Sequence, residues 1–227
     1  MVFFFTPTSE VCSTSSEESL PEGTVFYMGK DKYENEDLIK YGLDEDVWFH
    51  VDKLSSAHVY LRPPRGCTIE DMPQGVIDAC CALVKANSIE GSKKSEVDVV
   101  YTPWTNLRKE SRMEVGQIGF FDNKQVTKVG HVKKNNEVVN KLNKTKVESY
   151  PDLSAERDAR DAIKRQEGKE RARESKKEQL EEERRKKEDE ELRSYDRIMD
   201  EDKMQSNAAL REAAKKKSVA ELEEDFM

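Results

Sequence analysis

Apolar positions in the first two thirds of the chain fall into short runs and strict alternations; between Lys164 and Glu191 they nearly vanish. The runs "VFFF" at residues 2–5 and "TVFYM" at 24–28 are β-branched and aromatic, and a Ser/Glu/Pro-rich stretch over 8–22 lies between them. They predict two strands joined by a long loop. "GKDKYENEDLIKYG" predicts a turn at Gly29, a helix over about 33–41, and a stop at Gly42. "DVWFHVDKLSSAHVYLR", residues 46–62, contains two alternating runs. On a strand, Val47, Phe49 and Val51 share one face while Asp46, Trp48, His50 and Asp52 share the other. In the second run Ala57, Val59 and Leu61 oppose Ser56, His58, Tyr60 and Arg62. If residues 53–55 connect the runs, opposed residues have numbers summing to 108. That register sets Asp46 against Arg62, Trp48 against Tyr60 and His50 against His58, and three matched pairs predict a hairpin.

"DMPQGVIDACCALVKANS" begins with an Asp cap and a Pro in its first turn and places apolar residues at 76, 77, 80, 83 and 84, the stripe of a helix packed on a sheet. "VDVVYT" (97–102), "VGQIGFF" (115–121) and "KQVTKVGHV" (124–132) predict strands, the last two forming a hairpin across Asp122-Asn123. "NNEVVNKLNKTKVE" closes the folded domain, residues 1–147, as a Lys-rich helix. The expected fold is α+β: an antiparallel-rich sheet with packed helices, followed by a long charged C-terminal helix.

Between Lys164 and Glu191 the apolar residues are Ala172 and Leu180 alone, too few for the a and d seam of a coiled coil. Glu-to-Lys/Arg pairs at i,i+4 recur instead, as in Glu167–Arg171, Glu181–Arg185, Glu182–Lys186 and Glu183–Lys187. Each adds about 0.2–0.5 kcal/mol to a solvated helix. Residues 153–200 are therefore expected to form a single charged helix about 60 Å long, and 201–227 an acidic, unstructured tail.

Charge changes this picture only when it is localised. Charged residues make up 38% of the chain and the net charge is −8, yet residues 123–147 carry seven Lys against Glu137. Residues 1–122 have a net charge of −9. The local basic segment, not the overall acidity, decides which partner the domain attracts. Cys12, Cys67, Cys80 and Cys81 show no metal-ligand spacing, and with no secretory signature they are expected to be reduced thiols of a cytoplasmic or nuclear protein. "MVFFFTPT" lacks a basic n-region and is too short to span a membrane.

Three uses compete for the polar face of the hairpin. It can be structural, with Trp48 and Tyr60 covered by a helix. It can stack bases on Trp48 and Tyr60, with Lys53, His50, His58 and Arg62 alongside, at about 1–3 kcal/mol per base. It can hold a metal or do acid–base chemistry through His50, His58 and Asp52, although no HExxH motif or nucleophile elbow accompanies them. In the base-stacking case His50 and His58 would strengthen binding as pH falls towards about 6.5.

"NEDLIK", "DVWFHVDKLSSAHVYLR", "LVKANS", "VDVVYTPWTNLRK" and "VGQIGF" follow one another in an order that resembles the NFACT-R domain family. Positions matching its motifs are Asn35, Asp46, Trp48, His50, His58, Val59, Tyr101, Thr102 and Gly116. The resemblance implies an α+β fold and nucleic-acid binding. Larger relatives act in ribosome quality control, at the large ribosomal subunit and tRNA. Those larger members read Gly-Ser-His-Val where this chain has Ser56-Ala57-His58-Val59, so the hydroxyl preceding the His is missing. Their N-terminal domain is also missing, so tail-elongation chemistry is not implied.

The combined expectation is a monomeric, non-enzymatic nucleic-acid-binding protein without a cofactor, bound to RNA, tRNA or the ribosome. Its site residues would be Trp48, His50, Lys53, His58, Tyr60 and Arg62 with Lys124, Lys128, Lys133 and Lys134 on phosphates. The alternatives are a DNA-binding sensor or signalling adaptor using the same patch, and a metal-dependent enzyme.

Overall fold

The computed structural model describes residues 1–12, 20–194 and 207–216. Residues 1–163 form one compact unit and 164–227 a second. Among the described residues of the first, nine strands and five helices follow in order: β1 (Val2–Phe5), α1 (Ser9–Cys12), β2 (Val25–Gly29), α2 (Lys32–Tyr41), β3 (Val47–Val51), β4 (Val59–Arg62), α3 (Gln74–Ala86), β5 (Glu96–Pro103), β6 (Leu107–Arg108), β7 (Gly119–Phe120), β8 (Thr127–Lys133), α4 (Asn136–Lys144), β9 (Val147–Ser149) and the start of α5 (Leu153–Ser194). Seven strands make one antiparallel sheet in the order β8-β5-β3-β4-β2-β1-β9, and β6 pairs with β7 separately. The α+β class stands.

The alternation read in residues 46–62 sorts the sheet into two cores. Phe49, Val51, Val59 and Leu61 pack with α3 residues Val76, Cys80, Leu83 and Val84 on one face. Trp48 and Tyr60 pack with Tyr27, Leu38 of α2, Leu107 of β6 and Leu153 of α5 on the other. The hairpin keeps the expected register, Val47 opposite Leu61, Trp48 opposite Tyr60 and Phe49 opposite Val59. Its connection is longer than expected, because β3–β4 pairing ends at Phe49 opposite Val59, while His50 and Val51 pair with β5 alone. Ser56 accounts for the difference: its hydroxyl accepts the Val51 N–H and donates to the Ala57 carbonyl, both at 3.1 Å, holding a wide loop.

Several local expectations yield to tertiary contacts. Residues 115–121 and 124–132 do not form a hairpin; β7 pairs with β6, and β8 with the far edge of β5. Asp122 separates them by accepting the Lys124 N–H at 2.8 Å and starting a 3-10 turn over Asn123–Gln125. Asp71 does not cap α3; it closes a Thr68 capping box on a separate 3-10 turn, and Pro73 precedes the helix. Gly42 ends α2 in extended backbone (φ −56°, ψ 158°), so its lack of a side chain serves packing: a Cβ there would overlap the Trp104 indole. The Lys-rich helix α4 is followed by β9, which pairs with β1 and was not anticipated.

The expected domain end at 147 falls inside the compact unit, because α5 packs back on it. Leu153 joins the second core, Arg157 lies 4.5 Å above the Trp104 ring and donates to the Gly42 carbonyl, and Arg160 pairs with Glu45. From Lys164 to Arg193 the side chains are exposed, and pairs such as Lys186–Glu182 (2.8 Å) and Arg193–Asp189 (2.9 Å) line the surface. With no apolar seam, a peptide spanning this stretch should be helical by circular dichroism and monomeric by ultracentrifugation at micromolar concentration. A concentration-dependent helix signal would restore the coiled coil. Within the tail expected to be unstructured, Asn207–Lys216 form a helix, α6; the rest of 201–227 lies outside the described residues.

Candidate nucleic-acid interface

Antiparallel pairing carries residues of like face into rows across the sheet, and the row through Trp48 is closed. Phe4, Tyr27, Tyr60, Trp48 and Thr102 follow one another strand to strand, with Tyr27 stacked on Tyr60 at 4.9 Å. Tyr60 has no exposed surface and Trp48 has 3%, under the edge of the Phe120 ring at 5.7 Å. Neither ring offers a face to a base. The base-stacking role expected of Trp48 and Tyr60 is therefore withdrawn, and the structural role holds.

The expected Asp46–Arg62 ion pair is present, and it too is interior. Fully buried Asp46 accepts from Arg62 Nε (2.8 Å) and Nη2 (3.0 Å), the Tyr27 hydroxyl (2.6 Å) and the Leu43 N–H (2.8 Å). Arg62 lies over the Tyr27 ring and reaches Glu156 of α5 at 3.7 Å, so its fork is spent on structure and not on phosphate.

His58 is buried as well. Its Nδ1 accepts the Trp48 indole N–H at 3.1 Å. Gly116 adopts φ 86°, and its N–H donates to Glu36 Oε1 at 2.6 Å, a carboxylate also held by Lys109 at 2.7 Å. Glu36 thus fastens the 109–117 loop to α2. Burial, with His50 5.0 Å away, pulls the His58 pKa down to about 3, and burial also lowers that of His50. The buried His58 does not charge near pH 6.5, so the strengthening of binding expected from its protonation is corrected, and the shift at His50 is in the same direction. Because the folded pKa of His58 lies below its unfolded value of about 6.5, stability is complete above that pH and is lost as pH falls towards about 3. Urea midpoints should fall between about pH 7 and 4.5, and fall less in His58→Gln; parallel curves would contradict this assignment.

Half-buried His50 stacks on Trp48 at 5.3 Å and interacts through Nδ1 with the Val51 carbonyl at 2.7 Å. Among the described residues no group of three or more His, Cys, Asp or Glu is placed to hold a metal, so His50, His58 and Asp52 do not form the ligand set weighed from the sequence.

The lysines divide. Lys128 bridges Asp52 (3.0 Å) and Asp98 (2.8 Å), a surface pair that neutralises it. Exposed Lys124 sits beyond the first residue of β8, and Lys133 and Lys134 lie at the other end, about 20 Å of strand away. At that end three loops meet. Ser88 donates to the Ser55 carbonyl at 2.7 Å, and Ala57 N–H to the Asn87 carbonyl at 3.1 Å. Buried Lys85 donates to the carbonyls of Lys94, Ser95 and Val132 at 3.0, 3.1 and 3.2 Å. Its ammonium pins the loop after α3 to the end of β8. This clustering gathers exposed Lys53, Lys93, Lys94, Lys133 and Lys134 around one end of the sheet. Lys53 and His131, the two non-glycine residues with positive φ among those described (59° and 58°), border the same end. Sequence reading missed Lys93 and Lys94; the "KK" dipeptide between helix and strand was the available signal.

A sheet covered on both faces, with exposed Lys53, Lys93, Lys94, Lys134 and the Glu96-paired Lys133 (3.7 Å) around one end, defines a small α+β module. Residues 1–122 match the family described as NFACT protein RNA binding domain, and the chain belongs to that family. It is 55% identical to coiled-coil domain-containing protein 25 of Mus musculus over 91% of this chain and 95% of that one. It is 42% identical to protein JLP2 of Saccharomyces cerevisiae over 68% and 72%. A solved C-terminal region of the fibronectin/fibrinogen-binding protein from Streptococcus suis matches 60% of this chain and 53% of that one, with a TM-score of 0.44 and 16% identity. Among the described residues no helix is long and apolar enough to cross a membrane.

Proposed function

We propose that this protein binds single-stranded RNA of the translation apparatus through the lysine end of its sheet, as a monomeric binding protein rather than a catalyst, in the cytoplasm or nucleus. The observation that carries this is the gathering of Lys53, Lys93, Lys94, Lys133 and Lys134 by the Lys85 pin, within a domain belonging to an RNA-binding family. Ammonium groups on long stems contact phosphate without reading sequence, and each neutralised phosphate releases a counterion. The acidic remainder of the unit repels the polyanion elsewhere and confines it to this end.

Replacing the five lysines by Gln should lower the slope of log affinity against log salt by about 3.5, and weaken binding roughly a thousand-fold at about 0.1 M salt, equally for all sequences. Titration of labelled RNA of about 20 nucleotides at several salt concentrations measures both quantities. An unchanged slope would remove this end of the sheet from the site. Tighter binding of single-stranded DNA of equal length would favour a DNA-binding sensor, since only RNA offers a 2′-hydroxyl.

A further inference from the structure

Trp48 and Tyr60 are buried, and among the exposed rings Phe121 sits on the most firmly held backbone. Strand alternation in β7 turns Phe120 inward onto Trp48 and leaves Phe121 68% exposed. Single exposed apolar side chains are ordinary on protein surfaces. What distinguishes Phe121 is the rigidity of its backbone. Its N–H donates to the Asn106 carbonyl at 3.0 Å, and the next residue is held on both sides by the Asn106 amide: Asp122 N–H to Oδ1 at 2.8 Å and Nδ2 to the Asp122 carbonyl at 2.8 Å. Asn106 is buried, and its second amide proton goes to Thr102 Oγ1 at 2.9 Å, which itself donates to the Gln125 carbonyl at 3.0 Å. Buried amide and hydroxyl groups therefore clamp residues 121–125 from beneath. Asp122 also fixes the Lys124 backbone, and the Lys124 side chain is exposed with no ion-pair partner among the described residues.

We propose that Phe121 is a base-stacking residue and Lys124 the phosphate contact beside it, together a second contact point for the RNA held at the lysine end of the sheet. The assignment rests on the RNA-binding reading above. A fixed ring loses little conformational freedom when a base lies on it, and a base offers a π face whatever its sequence. An ammonium three residues away matches a backbone that places a phosphate beside every base. Lys128, halfway along β8, offsets one of the two carboxylates it bridges, Asp52 and Asp98, and so lessens the repulsion of the strand between the two points.

The test uses the full chain and single-stranded RNA of about 20 nucleotides. Phe121→Ala should weaken binding about ten-fold without altering the salt slope, because stacking releases no counterions. Lys124→Gln should instead lower the slope by about 0.7. Phe121→Tyr and Phe121→Trp should retain affinity, and the added Trp should lose fluorescence when RNA binds. Phe121→Leu should bind as poorly as Phe121→Ala, whereas an apolar protein contact would accept Leu. Because the ring is exposed, all four variants should melt with the wild type. Equal affinity of wild type and Phe121→Ala, with the lysine-end variant still impaired, would overturn this proposal alone. Absence of RNA binding by the wild type would overturn both.

Discussion

Asp46→Ala should be the most damaging single substitution in the compact unit, costing about 3–5 kcal/mol and lowering the melting temperature by roughly 10 °C. The carboxylate accepts four hydrogen bonds in a site with no exposed surface. Its removal leaves the Arg62 guanidinium with only the 3.7 Å Glu156 contact and the Tyr27 hydroxyl, and strips the Tyr27 O–H and the Leu43 N–H of their acceptor around a void, which costs far more than the pair itself contributes. Arg62→Met should cost less than Asp46→Ala, because an apolar chain can occupy the Arg62 stem while Tyr27 and Leu43 still satisfy Asp46. Thermal and urea unfolding of the full chain measure both. If Asp46→Ala proves no worse than Arg62→Met, Asp46 is not the centre of this network.

Cutting the chain after Tyr150 should destabilise the remaining unit by about 3 kcal/mol, whereas cutting after Arg165 should leave it near the intact value. The difference resides in three turns of α5. Leu153 contributes about 2 kcal/mol of burial, and Arg157 over Trp104 adds about 0.5–1 kcal/mol. The Glu156–Arg62 and Arg160–Glu45 pairs at the domain surface add at most about 1 kcal/mol more. Matched urea midpoints for the two truncations would place the boundary at 147 after all.

The hairpin shows how far alternation reaches. Period-two polarity fixed which residues share a face, and complementary pairs fixed the register, because a one-residue slip would send Phe49 and Val59 to the wrong side. The same pattern could not say whether the polar face was covered. Asp, Trp, His, Tyr and Arg in alternation satisfy a solvent-facing strand and also a buried hydrogen-bonded row; the difference is made by α2, β6 and β7, from 32 to 120 in the chain. Residues 115–121 were misplaced for a related reason. Their composition is that of a strand, but a strand pairs with whichever edge the turn delivers, and the Asp122 cap turned the chain towards β5.

The sequence by itself determined the α+β class, the hairpin register, the buried stripe of α3 and the seamless charged helix, because each rests on periodicity or on neighbours within a few residues. It also carried the motif order of an RNA-binding family. Only the tertiary structure decided which polar residues are free to meet a ligand. Burial removed Trp48, Tyr60 and His58 and committed Arg62, ion pairing neutralised Lys128, and the Lys85 pin drew Lys93 and Lys94 to Lys53, Lys133 and Lys134. Solvent exposure and through-space neighbours depend on contacts between residues tens of positions apart, which no local pattern encodes.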